Sequence, residues 1–277
     1  MAGIEPNSAL KGKVAVVTGA SRGLGRQVAL ALAAQGAAVA LVARGEAALK
    51  QVEAQLRQAG HQALALPADV TQAHQVETLK EKVQDQLGIP AILINAAGIF
   101  GPIQLIANSD PEAWVQTIQI NTVAPYLTCR AFMGGMIAQG WGRIVNFTSA
   151  AALHPPGPLN SAYGTSKVAL NQFTRHLAAE LEGSGVTANV MHPGDVKTEM
   201  WADIRDQANA MGPEAEAYRQ WVKWVEQTGG DDPAKAARRV LQLMGEQTNG
   251  RFLWIEAPLQ APIPSWGEIE GQQPWKK

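Results

Sequence analysis

Val14-Ala15-Val16-Val17-Thr18-Gly19-Ala20-Ser21-Arg22-Gly23-Leu24-Gly25 decides the fold. Its first four residues are a short continuous apolar run, which suits a strand buried on both faces. A turn with three glycines follows, and Val28, Leu30, Ala31 and Leu32 then open a helical pattern. A strand feeding through such a turn into a helix gathers backbone N–H groups and the positive helix end at one point, a site for a phosphate or pyrophosphate. A triphosphate-hydrolysing loop would need Gly-Lys followed by Ser or Thr here; the chain has Gly25-Arg26-Gln27 instead, which disfavours that chemistry.

Outward from this stretch the same alternation continues. Short apolar runs predict strands over 39–42, 63–66, 92–94, 144–147, 186–190 and 252–255, and helical spacing predicts helices over 46–58 and 72–86. One long helix is expected over 111–139, capped by Asp110, with Pro125 bending it or opening one backbone hydrogen bond. A proline-rich loop over 150–160 leads to a helix that carries Tyr163 and ends at Gly183 and Gly185. Strands alternating with helices imply right-handed crossovers and an α/β fold with a doubly wound, mainly parallel sheet of seven strands. Ligands then bind beyond the carboxyl ends of the strands.

With 277 residues, 46% of them hydrophobic, and no long linker, one domain is expected over 1–277. An insertion over about 199–230, broken at Gly212-Pro213, reads as helical segments that close over a pocket as a substrate lid. Asp232 caps a further helix over 233–244. Six of the eight tryptophans follow Thr198, so these aromatics serve either a lid, a subunit contact or core packing. Pro258, Pro262, Pro264 and Pro274 keep the tail over about 256–277 from being helical, and it is expected to run extended over the surface.

The 23 basic and 24 acidic residues are scattered, without a block of one sign, which argues against nucleic acid or an anionic membrane as partner and for a small molecule. No run approaches ~18 apolar residues, and Met1 to Lys11 lacks a basic stretch followed by an apolar one, so a soluble cytoplasmic protein is expected. The single cysteine, Cys129, cannot form an internal disulfide and reads as a buried structural thiol. The five histidines lack the paired spacing of a zinc site, so no metal is expected.

Tyr163 and Lys167 stand four residues apart on one helix face. A phenol titrates near pH ~10, and a neighbouring cation favours its ionised form, which makes the pair a proton-transfer device.

Four motifs occur in a fixed order: Thr18-Gly19-x-x-x-Gly23-x-Gly25; Asn95-Ala96-Ala97-Gly98; Ser149 with Tyr163 and Lys167; and Asn189-x-x-x-Pro193-Gly194-x-x-x-Thr198. Through them the chain, over about 11–255, resembles the short-chain dehydrogenase/reductase family. The resemblance implies a Rossmann-type three-layer sandwich and an oxidoreductase that moves a hydride between a nicotinamide and a carbonyl or alcohol. Tyr163 would be the general acid in reduction and the base in oxidation, Lys167 would hold the phenol pKa down and bind the nicotinamide ribose, and Ser149 would bond the substrate oxygen. Asn121 would distort the long helix and position a water that links Lys167 to solvent.

The same resemblance places Gly19, Ser21, Arg22, Gly23, Leu24, Gly25, Gly98, Tyr163, Lys167 and Pro193 against the cofactor. Asp69 would take the adenine amino group, Val70 its ring, Asn95 the adenine-side ribose, and Val196 and Thr198 the carboxamide and nearby phosphate. Charge supplies the cofactor preference. Arg44 stands at the end of the second strand, where an NAD site carries an acid, and Arg22 lies in the glycine turn, so NADP(H) is expected over NAD(H). The family commonly pairs the long helix and the Tyr163 helix across a twofold axis, which implies a homodimer or homotetramer. Ala96 departs from the usual second asparagine, and the likeness lapses after Ile255. A non-catalytic NADP-binding sensor is the alternative, although it would not need Ser149, Tyr163 and Lys167 together.

Overall fold

The computed structural model describes residues 10–154 and 156–256. Seven strands form one sheet: β1 (Val14–Thr18), β2 (Ala38–Ala43), β3 (Ala63–Pro67), β4 (Pro90–Asn95), β5 (Gly142–Phe147), β6 (Val186–His192) and β7 (Phe252–Trp254). Their order is β3-β2-β1-β4-β5-β6-β7, and every pairing is parallel. The helices are α1 (Gly23–Ala34), α2 (Glu46–Gln58), α3 (Ala73–Leu87), α4 (Pro111–Ile118), α5 (Ala124–Ala138), α6 (Ser161–Glu180), α7 (Glu199–Asn209), α8 (Glu216–Thr228) and α9 (Pro233–Gly245). This is the three-layer, doubly wound α/β fold that the alternation predicts.

Continuous apolar strands follow from burial on both faces. In β1, Ala15 and Val17 join Val28, Leu32, Leu49 and Val240 of α1, α2 and α9. Val14 and Val16 join Val76, Val83, Phe132 and Leu177 of α3, α5 and α6 on the other side. Each such valine, leucine or phenylalanine, fully buried, stabilises the fold by about 1.5–3 kcal/mol, so both helical layers are held to the sheet. β1 lies beside both β2 and β4, so the chain order reverses there and opens a crevice at the strand ends.

The expected single helix over 111–139 is three segments instead. α4 runs into a π-helical turn, Gln119–Val123, before α5 begins. Pro125 has no N–H for the ladder, which loosens the hydrogen bonding at this point. The Asn121 side chain also pins the turn: Oδ1 accepts from Ile99 N at 3.0 Å, and Nδ2 donates to Ile99 O at 2.8 Å and to Ser166 Oγ at 3.0 Å.

The insertion forms α7 and α8 around a third core of Trp201, Ile204, Ala208, Val222 and Val225, to which Ile103 and Leu159 contribute. Arg219 donates to the carbonyls of Ala208, Met211 and Gly212 and so satisfies the end of α7 at the expected Gly212-Pro213 break. Trp201 belongs to this core, whereas Trp224 is exposed. The extended course expected for the tail falls on 257–277, outside the described residues, as do residues 1–9 of the N-terminal segment and Pro155 of the proline-rich loop.

Candidate active site

Beyond the ends of β1 and β4 lies a cleft of about 1270 Å³. One end is built from main chain. Gly19 has φ +68°, and a Cβ on it would stand 2.8 Å from Ala97 N and 2.9 Å from Ala96 O. A Cβ on Gly25 would meet Gly19 O at 2.3 Å. Only hydrogen fits at either point, and the tight turn that results aims the first N–H groups of α1 into the cleft. Thr18 Oγ1 accepts from Ala97 N at 3.2 Å, tying the turn to the loop after β4.

Ser21, Arg22, Leu24 and Arg44 line this end, and both arginines are exposed. Among the described residues neither arginine has an acidic partner within ion-pair distance, and Glu46, the acid nearest in sequence to Arg44, is paired with Lys50 at 2.6 Å. Asp69 and Val70 line the cleft further along. One Asp69 oxygen accepts from Thr71 N and Thr71 Oγ1, which fixes the carboxylate.

Asn95 departs from its expected place. It is 3% exposed; its Nδ2 donates to Asn146 Oδ1 at 2.8 Å and its Oδ1 accepts from Thr128 Oγ1 at 2.8 Å. Its side chain therefore joins β4 to β5 and α5, and it does not reach for a ribose. Buried polar atoms demand such partners, and the interior supplies them. The same interior holds Cys129, whose thiol burial pushes up to about 12. Gly98, Pro193 and Thr198 line the cleft, whereas Val196 is buried.

At the other end, α6 presents Tyr163, Ser166 and Lys167 on one face, all buried. Ser149, at the end of β5, accepts from Ala151 N at 3.2 Å. That leaves its own proton for the hydrogen bond it makes with the Tyr163 phenol. Lys167 Nζ donates to Phe147 O at 2.9 Å and lies 5.5 Å from the Tyr163 ring centroid. Burial pushes the phenol up to about 12, outweighing the Ser149 hydrogen bond, and pushes Lys167 down to about 8. The expected lowering of the phenol by Lys167 is thus reversed. Both groups lose hydration, which drives each toward its neutral form, and the ammonium is engaged by a backbone carbonyl. Asn121 touches this group through Ser166, and a Cβ on Gly98 would stand 3.2 Å from Asn121 Oδ1 and 3.7 Å from Lys167 Nζ.

Several side chains here carry no sequence signal. Phe100 stacks on Tyr163 with centroids 4.5 Å apart and planes at 27°, and Tyr218 of α8 meets Phe100 edge-on at 6.0 Å. His192 Nδ1 accepts from Ala150 N at 3.4 Å, and burial lowers its pKa to about 4, so the ring is neutral and fastens the Ser149 loop to β6. Asp195 fills a variable position of the Asn-x-x-x-Pro-Gly-x-x-x-Thr motif, yet its carboxylate interacts electrostatically with Tyr163.

Residues 13–209 match the short chain dehydrogenase family. A short chain dehydrogenase of Pseudocercospora fijiensis is 36% identical over 217 residues, covering 77% of this chain and 70% of that protein. Among solved structures, an actinorhodin polyketide ketoreductase with NADPH superposes with a TM-score of 0.79 at 30% identity, covering 87% of this chain and 95% of that one. An NAD+-bound xylitol dehydrogenase reaches 0.81 at 28%, covering 89% and 98%. The chain belongs to the short-chain dehydrogenase/reductase family of oxidoreductases. Among the described residues, no helix is long and apolar enough to cross a membrane.

Proposed function

We propose that the protein is an NADP(H)-dependent oxidoreductase that interconverts a small-molecule carbonyl and its alcohol. The observation that carries this reading is a single cleft lined at one end by Tyr163 and Lys167 and at the other by a glycine cradle of main-chain donors. The cradle fits a dinucleotide: Gly19 and Gly25 leave no room for a Cβ, and α1 carries no acid in its own first turn, while Glu199 Oε2, 3.5 Å from where a Cβ on Gly23 would stand, is the carboxylate a pyrophosphate would have to displace. When bound, the nicotinamide supplies or accepts the hydride.

The chain's own residues handle the oxygen and the proton. Ser149 holds the substrate oxygen beside the phenol, and Tyr163 gives that oxygen its proton in reduction or takes it in oxidation. A phenol pushed up to about 12 is protonated at neutral pH and has a proton to give, whereas taking one up in oxidation needs the phenolate that burial disfavours. Lys167 lies between the Phe147 carbonyl and the cleft, placed to bind ribose hydroxyls, and Asn121 braces that wall. Gly19, Ser21, Arg22, Gly23, Leu24, Gly25 and Gly98 would hold the dinucleotide's phosphates and nicotinamide side, Asp69 and Val70 its adenine, and Pro193 and Thr198 its carboxamide end. Arg22 and Arg44, without an acidic partner among the described residues, would clasp a 2'-phosphate; the ketoreductase relative with NADPH is consistent with that, and the NAD+-bound xylitol dehydrogenase shows that the fold also serves the other cofactor.

The residues of α7 and α8 form the lid of the substrate chamber. Tyr126 of α5 and Val168 of α6 are exposed apolar residues and support pairing of these helices in a homodimer or homotetramer, which sedimentation would reveal. The test of the whole reading is NADPH oxidation across aldehydes, ketones and quinones by wild type and by Tyr163→Phe. Turnover by wild type and a loss of about 10²- to 10⁴-fold in kcat in the variant are expected. Turnover that survives the change overturns the mechanism.

A further inference from the structure

Glu199, the first residue of α7, reaches across the cleft to the glycine turn. A Cβ on Gly23, the first residue of α1, would stand 3.5 Å from Glu199 Oε2 and 3.7 Å from Thr198 Cγ2, which is van der Waals contact. The starts of α1 and α7 therefore meet, with one carboxylate between them.

That end of α1 is positive and lacks compensation. Arg22, its N-cap residue, makes no side-chain hydrogen bond to the first turn, and the turn contains no acid. First-turn N–H groups have no partner within a helix and attract negative charge. Among the described residues the Glu199 carboxylate has neither a hydrogen-bond nor an ion-pair partner. Because Glu199 is exposed, its side chain can leave the turn for solvent without opening the core. The body of α7 is anchored. Trp201, Ile204 and Ala208 are buried in the third core, and Gln207 grips the loop after β4: Oε1 accepts from Ile103 N at 3.1 Å and Nε2 donates to Gly101 O at 3.4 Å. A change at the turn thus falls on the Glu199 side chain.

We infer that Glu199 is an affinity-setting residue: its carboxylate docks on the N-terminal end of α1 and competes there with the pyrophosphate of the dinucleotide, which drives it into solvent on binding. Both are anions drawn to the same few N–H groups, and like charges at contact distance repel, so they cannot share them. The cofactor is consequently held less tightly than the cradle alone would hold it, and is released faster. The residue controls cofactor exchange, and its role rests on the dinucleotide reading proposed above. Asp203 is the internal control. It lies one turn further along α7, lines the same cleft and is exposed, yet it is not among the nearest atoms to Gly19, Gly23 or Gly25.

The test uses the full chain and equilibrium titration of NADPH by its fluorescence, with wild type, Glu199→Gln and Asp203→Asn. Each substitution removes one negative charge and keeps the shape of the side chain. Glu199→Gln is expected to bind NADPH about fivefold more tightly, the scale of one charge at a helix end, and to release it more slowly in stopped-flow displacement. NADH, which shares the pyrophosphate, should gain by the same factor. Adenosine 2'-phosphate, which lacks it, should bind wild type and Glu199→Gln alike. Asp203→Asn should change NADPH affinity by about twofold or less, as expected of a screened charge away from the turn. If Glu199→Gln is unstable, Glu199→Ala supplies the same loss of charge. Unchanged or weaker NADPH affinity in the Glu199 variant, an equal gain in Asp203→Asn, or an equal gain for adenosine 2'-phosphate overturns this inference and leaves the dinucleotide reading standing. Absence of both NADPH and NADH binding in all three proteins overturns both.

Discussion

At the cradle end of the cleft, the closest approaches are those of the main chain of one continuous segment, Thr18 to Gly25, whereas at the lid end the wall is made by the side chains of Phe100, Tyr163 and Lys167, with Tyr218 edge-on behind Phe100. The first end is fixed by the sheet itself, because β1 and α1 meet there and the glycines admit only one close turn. The second depends on a separate small core that brings α7 and α8 over α6. The difference teaches how such a fold keeps one half of its chemistry constant while the other half varies: backbone donors tolerate no change of shape, and a side-chain chamber can be rebuilt without touching them.

Gly25→Ala strikes the cradle alone and should have the largest effect. A methyl group 2.3 Å from Gly19 O forces the turn open, and the dissociation constant for NADPH should rise by about a hundredfold or more, with lid packing intact. Titration of NADPH by fluorescence checks this, and near-native affinity would remove the distinction between the two ends.

Removing both arginines tests charge at the cradle. Arg22→Ala with Arg44→Ala should weaken NADPH binding by about 10- to 100-fold, the scale of charge-assisted contacts, and leave NADH binding unchanged. Equal loss for both cofactors would mean that the arginines do not read the 2'-phosphate.

On the lid side, Phe100→Ala removes the ring stacked on Tyr163 and part of the third core. A loss of about 2 kcal/mol of stability is expected, with a raised KM for substrate and little change in NADPH affinity. Steady-state kinetics beside thermal unfolding separates these effects.

The smallest effect concerns pH. His192 has a folded pKa of about 4, below its usual 6.5, so between these values the unfolded chain binds more protons than the folded one. Its contribution is complete above pH 6.5 and is lost as pH falls towards 4, roughly 2 kcal/mol by pH 5. His192→Asn should flatten that part of the stability profile, as urea midpoints at pH 7 and pH 5 would show.

The parallel sheet, the glycine turn and the Tyr163–Lys167 face were legible because each is a local pattern: apolar runs, glycine spacing, and residues one helical turn apart. The π-helical turn at 119–123 was half legible. Pro125 announced a fault in the helix, but only the Asn121 contacts with Ile99 and Ser166 decided its form. Asn95 belonged to a motif and was still misread, because whether its amide faces the cleft or the interior depends on Asn146 and Thr128, which are 51 and 33 residues away.

The chain's own order of residues was enough to specify a doubly wound α/β fold with a glycine turn after its first strand and a tyrosine and lysine on one helix face, since backbone sterics and side-chain periodicity act over a few residues. The tertiary structure alone decided which way that tyrosine's pKa moves and the company it keeps. Burial beneath Phe100, which Tyr218 meets edge-on, joins segments up to about 120 residues apart, and desolvation is a property of the packed volume that no local spacing records.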